Sequence, residues 1–80
     1  MFKTVKKIEV NCTNASYRSV LKICNKCGFY VFNGGDHDLV KNKEGKKITT
    51  IPRHSYIKRE TARSIFTALQ EAGAPIAIIK

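Results

Sequence analysis

The chain has 80 residues, and its 15 Lys and Arg against 6 Asp and Glu give a formal net charge of +9. A chain of this length forms one domain with a small core, which excludes a large enclosed active site. The basic excess is typical of proteins that bind polyanions, so nucleic acid is the first partner class to consider. A membrane surface is the second class, but no run of about 18 apolar residues exists and neither helical segment has a wide apolar face opposite a purely basic one, so we expect no membrane partner. Residues 1–10 lack the apolar segment of a signal peptide, which predicts a cytoplasmic protein.

Three cysteines raise the alternative of a metal or redox site. Cys24 and Cys27 form a C-x-x-C pair, but zinc would need two further ligands from Cys12, His37 and His54, whose spacings match no common zinc pattern. A thioredoxin-type pair should begin a helix, whereas this one ends a predicted helix. We therefore expect reduced thiols, no metal and no cofactor, with Cys24 in the core and Cys27 near the helix terminus.

Two segments have the periodicity of helices with one buried face. The first is predicted over about Ala15 to Cys27, with Thr13 or Asn14 as N-cap and Gly28 as the left-handed residue that ends it. The second is predicted over about Lys58 to Ala72 and ends at Gly73. The apolar positions that define the two faces are Tyr17, Val20, Leu21, Cys24 and Cys27 in the first, and Ala62, Ile65, Phe66, Leu69 and Ala72 in the second.

Three strands are predicted between the helices, at Phe29 to Phe32, Asp36 to Lys41 and Lys46 to Ile51. Asn33-Gly34 suits a hairpin turn with positive φ at adjacent positions. We expect the third strand to stop before Pro52, which cannot donate a ladder hydrogen bond.

The predicted fold is therefore α+β, in the order α-β-β-β-α, with two helices on one face of a three-stranded antiparallel sheet. Residues 1–80 form a single domain in this interpretation. Both ends predict extra strands: Ile8 and Val10 alternate around Glu9, and the apolar run of residues 76–79 follows Pro75. We expect this run to pair with Val5 to Val10 or with a second chain.

The stretch Asn33 to His37 places a histidine beside the glycine turn, at the start of a strand. Histidine ordinarily titrates near neutral pH, so His37 is a candidate proton-transfer group. A surface histidine without a role is the alternative, and spacing alone favours it.

Several short motifs follow one another along the chain: Gly28-Phe29, Asn33 to His37, Ile51 to His54, and Ala62 to Ile65 followed by Ala72-Gly73. They occur in the order and spacing of HicA toxins, and the chain resembles a HicA mRNA interferase over about residues 14–74. Residues 1–10 and 75–80 lie outside the resemblance, and Gly35-Asp36 stands where many members have Gly-Ser followed by Asn or His.

The resemblance implies a fold like that of double-stranded RNA-binding domains and a cytoplasmic toxin that cleaves mRNA. It also implies a HicB-type antitoxin as partner and an essential histidine at the position of His37. A non-catalytic RNA-binding module of the same fold is the main alternative, and a small zinc or redox protein built on Cys24 and Cys27 is a second one.

Cleavage of RNA without a metal needs a base, a means of stabilising phosphorane charge and an acid. His37 is the candidate base, and Gly34 and Gly35 either donate backbone N–H groups to a phosphate or form only a tight turn. His54 is either the acid or a passive RNA contact, and Arg53 is a candidate phosphate ligand.

Two basic clusters are expected to straddle an RNA backbone: Lys41, Lys43, Lys46 and Lys47 in one, Lys58, Arg59 and Arg63 in the other.

Overall fold

The structure is a computed structural model and describes residues 7–79. The predicted α+β fold is confirmed, with two helices and a three-stranded antiparallel meander in the predicted order, and a short strand at each end of the described chain. Residues 5 and 6 of the predicted first strand lie outside the described residues. The elements are β1 (Ile8–Val10), α1 (Tyr17–Lys26), β2 (Tyr30–Gly34), β3 (His37–Lys41), β4 (Lys47–Pro52), α2 (Arg59–Glu71) and β5 (Ile76–Ile78).

The meander has one buried and one open face, because successive side chains of a strand point to opposite sides. Val40 and Ile51 face the helices and are fully buried, together with Val20 of α1 and Phe66 of α2. The opposite face carries three cross-strand rows, and neither of the described helices covers it. These rows are Tyr30–Lys41–Lys47, Phe32–Leu39–Thr50 and Gly34–His37–Pro52.

The strands at the two ends of the chain pair with each other in parallel, as the first of the two predicted alternatives states. Ile8 lies opposite Ile76, and Val10 lies opposite Ile78. Ile76 is buried in the same core as α2, and the Gln70 side chain donates a 2.6 Å hydrogen bond from Nε2 to the Ile76 carbonyl. The terminal run is therefore part of the folded core.

Helix α1 begins two residues later than predicted, and Ser16 is its N-cap instead of Thr13 or Asn14. Ser16 and Ser19 form a capping box, each side chain accepting the other's backbone N–H. The Ala15 carbonyl accepts from the Ile57 N–H at 3.1 Å and so is taken by the loop after β4. This long-range bond is why the sequence periodicity alone placed the start of the helix too early.

The β2–β3 turn lies two residues further along the chain than the predicted Asn33-Gly34. Asn33 and Gly34 belong to the strand, Gly34 pairs with His37, and the loop is Gly35-Asp36. Within the loop only Gly35 has positive φ, at +87°, as the first residue of a type II′ turn requires. Gly34 is favoured for a different reason, since a Cβ there would make a tight contact, 3.0 Å from the His37 carbonyl oxygen.

Strand β4 includes Pro52, which the sequence analysis wrongly left outside it. The next N–H, that of Arg53, donates across the hairpin to the Asp36 carbonyl at 3.4 Å. Since consecutive N–H groups of a strand point to alternate sides, the Pro52 nitrogen faces the free edge of β4, where no ladder bond is lost.

Candidate active site

His37 is the first residue of β3 and lies on the open face of the sheet. Its side chain is exposed, and its neighbours across the strands are Gly34 and Pro52. Neither neighbour has a long side chain, so the imidazole is reachable by a large substrate. The sequence pattern did not decide which way the His37 side chain points. In the structure, the pleat of β3 directs His37 and Leu39 outward, whereas Asp38 and Val40 point inward.

Two open depressions adjoin His37, and His54 lines both of them. The larger, of about 930 Å³, lies between the end of β4 and the start of α2 and also contains Lys58, Thr61 and Ser64. The smaller, of about 680 Å³, lies beside the β2–β3 turn and also contains Arg53. The fold thus brings His37 and His54 to a shared surface, although 17 positions separate them in the chain.

Arg53 ties the loop after β4 to the β2–β3 turn. Its Nη1 donates to the Asn33 Oδ1 at 3.2 Å and to the Gly35 carbonyl at 3.3 Å. The Asn33 Oδ1 also accepts the Gly35 N–H at 3.2 Å, so both residues brace the turn from which His37 emerges. The Arg53 Nε lies 3.6 Å from Oδ1 of Asp38, which is an ion-pair distance but too long for a hydrogen bond.

Asp38 is a carboxylate with only 3% of its surface exposed, beneath His37 on the inner side of the sheet. The Tyr17 hydroxyl of α1 donates to its Oδ2, and this hydrogen bond is the main cause that raises the pKa of Tyr17. Oδ1 has no hydrogen-bond partner among the described residues. The Arg53 guanidinium is therefore the charge that compensates the buried Asp38.

Sequence analysis missed this network of Tyr17, Asn33, Asp38 and Arg53. One feature of the sequence indicated it. Asp38 lies two residues before the apolar Val40 and so faces the same side of the strand, and a carboxylate that points into the core requires a partner. Tyr17 was assigned only to the apolar face of α1. The partners themselves come from four different parts of the fold, which no local pattern connects.

The predicted RNA-binding residues lie at opposite ends of the β3–β4 hairpin. One group is at the turn distant from His37, and the other is at the His37 end, with Lys58 as N-cap of α2. Gly34 is in the ladder, and the Gly35 N–H is already donated to Asn33. The distant group is Lys41, Lys43, Lys46 and Lys47, and the near group is Arg53, His54, Lys58 and Arg59.

None of the three cysteines lines either depression beside His37. Cys24 is fully buried in the core, and burial raises the pKa of its thiol to about 12. Cys27 is the C-cap of α1, and its pKa is raised by the same cause. Within residues 7–79, no three His, Cys, Asp or Glu side chains are grouped as metal ligands. None of the described helices is long and apolar enough to cross a membrane.

Fold and site together define a small, basic α+β protein that presents histidines and cations on an open surface suited to a polyanion. A model of the family described as HicA toxin of bacterial toxin-antitoxin systems matches residues 17–74. The chain therefore belongs to the HicA toxin family, and so is a toxin of a toxin–antitoxin system, in a family whose members are RNases. No curated protein and no solved structure matches the chain.

Proposed function

We propose that this protein is an mRNA interferase that cleaves RNA without a metal ion, with His37 as the general base. The observation that carries the proposal is the placement of His37: exposed on the open face, beside a braced turn, on a surface shared with His54 and several cations. Family membership supports a ribonuclease role. The identity of the base is our own assignment.

In the proposed reaction, His37 takes the proton of a ribose 2′-hydroxyl, and the resulting oxygen attacks the adjacent phosphorus. The bond from phosphorus to the 5′ oxygen breaks, and this leaving oxygen gains a proton from His54 or from a water molecule. The products are a 2′,3′-cyclic phosphate and a free 5′-hydroxyl. His54 is either the acid for the last step or a passive RNA contact, and Lys58, which lines the larger depression, is a cation available for the phosphate charge.

Binding of mRNA in this proposal uses the two basic groups at the ends of the β3–β4 hairpin, which attract the phosphate backbone without reading its sequence. Arg53 contributes with the exposed part of its side chain, because its Nη1 and Nε are directed towards protein acceptors. Gly34 and Gly35 serve chiefly to form the turn. We further propose that the toxin acts in the cytoplasm, where mRNA is found, and that a HicB-type antitoxin is its partner.

The test is to replace His37 by Ala, with His54→Ala as the matched control from the same surface. The His37 side chain is exposed and lies outside the core cluster, so the free energy of unfolding should change little. RNA cleavage by the purified protein should fall by about 10² to 10⁴-fold, the usual contribution of general-base catalysis. RNA binding and antitoxin binding should persist. EDTA should not slow the wild-type reaction, and the products should end in 2′,3′-cyclic phosphate.

Cleavage by His37→Ala at the wild-type rate would refute the assignment, and loss of activity in His54→Ala alone would move the base to that residue. If both single variants lose activity to a similar degree, the two histidines act as base and acid. A wild-type protein that binds RNA but leaves it intact would be a non-catalytic RNA-binding module.

A further inference from the structure

Two aromatic rings stand on the open face of the sheet, outside the packed core. Tyr30 is 54% exposed and Phe32 is 50% exposed, and both belong to β2. The other large side chains of the meander that are apolar either enter the core or are partly covered. Residues two apart on a strand point to the same side at a spacing of about 6.6 Å, so the rings lie side by side.

The surroundings of the rings are basic. Lys41 lies opposite Tyr30 on β3, and its Nζ is 5.2 Å from the centre of the Phe32 ring. Lys47 continues the same row on β4. None of the nine residues in the three open-face rows is Asp or Glu. The face therefore favours a ligand that has flat π-surfaces joined by negative charge.

His37 stands at the end of the same face. Phe32 pairs with Leu39, and Gly34 pairs with His37, so the imidazole lies one same-face step, about 6.6 Å along the strand direction, beyond the Phe32 row. Lys41 and Lys47 lie at the other end of the face. A strand of nucleotides laid along β2 would thus pass Tyr30 beside the lysines, then Phe32, and then reach His37.

We propose that single-stranded RNA binds across this open face, with bases stacked on Tyr30 and Phe32 and a phosphate beside Lys41. This arrangement places the next phosphodiester beside His37. The inference rests on the proposed function for the role of His37 and extends it to the substrate's structural class. A duplex keeps its bases stacked inside and cannot place them on the rings. Double-stranded RNA is therefore a poor ligand for this face. The absence of carboxylates and the row of lysines favour RNA over an antitoxin segment as the occupant.

The experiment measures binding of a short, labelled single-stranded RNA of mixed sequence whose 2′-hydroxyls are methylated, so that it cannot be cleaved. Tyr30→Leu and Phe32→Leu keep apolar bulk but remove the π-face, and each should weaken binding by at least about 5-fold, since a base–aromatic stack is lost. Tyr30→Phe and Phe32→Tyr should bind like the wild type. A duplex of the same sequence should bind more weakly and should not respond to the leucine variants.

Ile79→Ala is the matched control, because Ile79 is 56% exposed but follows β5, away from the meander. Its RNA affinity should not change. Leucine variants that bind single-stranded RNA as tightly as the wild type would overturn the proposal. Leucine variants that keep RNA affinity but lose antitoxin binding would also overturn it, and would identify the face as a protein-docking surface.

The two proposals fail in different ways. If His37→Ala abolishes cleavage while the leucine variants bind and cleave normally, the nuclease assignment stands and the stacking face is wrong. If the wild-type protein does not cleave RNA but the leucine variants bind it poorly, the stacking face stands and the nuclease assignment is wrong.

Discussion

Replacement of Arg53 by Ala should destabilise the fold more than an ordinary surface substitution. Its guanidinium contacts Asp38, Asn33 and the Gly35 carbonyl. Without it, the 3%-exposed Asp38 carboxylate keeps the Tyr17 hydroxyl as its hydrogen-bond donor and loses its compensating cation. The same change removes the link between the loop after β4 and the turn that carries His37.

The magnitude follows from the geometry. Removing one partner of a fully buried ion pair costs about 3 to 5 kcal/mol, whereas exposed pairs contribute about 0.2 to 1 kcal/mol. Arg53 is 43% exposed while Asp38 is buried, and the 3.6 Å contact is not a hydrogen bond. Because solvent screens the partly exposed Arg53, we expect the free-energy contribution of this pair to lie between those two ranges. With the two longer hydrogen bonds from Nη1 added, we expect a loss of about 2 kcal/mol, or about a 30-fold change in the unfolding equilibrium.

The assay is urea unfolding of the wild type, Arg53→Ala, Asp38→Asn and the double variant, without RNA. Since Asp38→Asn removes the buried charge, Arg53→Ala should cost about 1 kcal/mol less in that background. Arg53→Lys should be intermediate, because an ammonium keeps the charge but cannot reach three acceptors with a planar fork. The proposed stabilisation of Asp38 by Arg53 would be refuted if Arg53→Ala lowered the free energy of unfolding equally in both backgrounds, or by less than about 0.5 kcal/mol.

Three further predictions concern binding, the terminal strand and the core. If the basic clusters bind the phosphate backbone, the logarithm of the RNA affinity should fall by about 0.7 per contact with the logarithm of salt concentration, and a flat response would exclude backbone binding. Deleting residues 75–80 removes the buried Ile76 and should cost at least about 2 kcal/mol, whereas deleting residues 79–80 should not; an unchanged melting temperature for the longer deletion would contradict this. Burial raises the pKa of Cys24 from 9.0 to about 12, so the folded state holds this proton when the unfolded state has lost it, and stability should fall as pH rises from 9.0 towards about 12. Cys24→Ala should flatten that decline in urea midpoints measured against pH, and an unchanged slope would show that the thiol does not cause it.

The fold could be predicted from the sequence where a single residue type determines a local feature, such as the end of a helix. Gly28 and Gly73 end their helices with φ of +86° and +100°, as their positions after the apolar periodicity predict. The site was readable only in part. His37 could be singled out because histidine is rare in the chain, but Asp38, Tyr17 and Arg53 are joined by contacts between distant segments. Such contacts can shift the position of a cap or a turn, as at Ser16 and Gly35. The reason is that propensities differ by only a few tenths of a kcal/mol between residues, which is less than the contribution of one long-range hydrogen bond.

The parallel pairing of β1 with β5 has a consequence for the order in which the chain folds. Each helix and each hairpin of the meander is built internally from contacts close in sequence, and such contacts form early because little loop entropy is lost. Val10 cannot find its partner Ile78 until nearly all of the described chain has been synthesised. During synthesis, the hairpin that bears His37 can therefore form before β5 is available to pair with β1 and to bury Ile76 in the core.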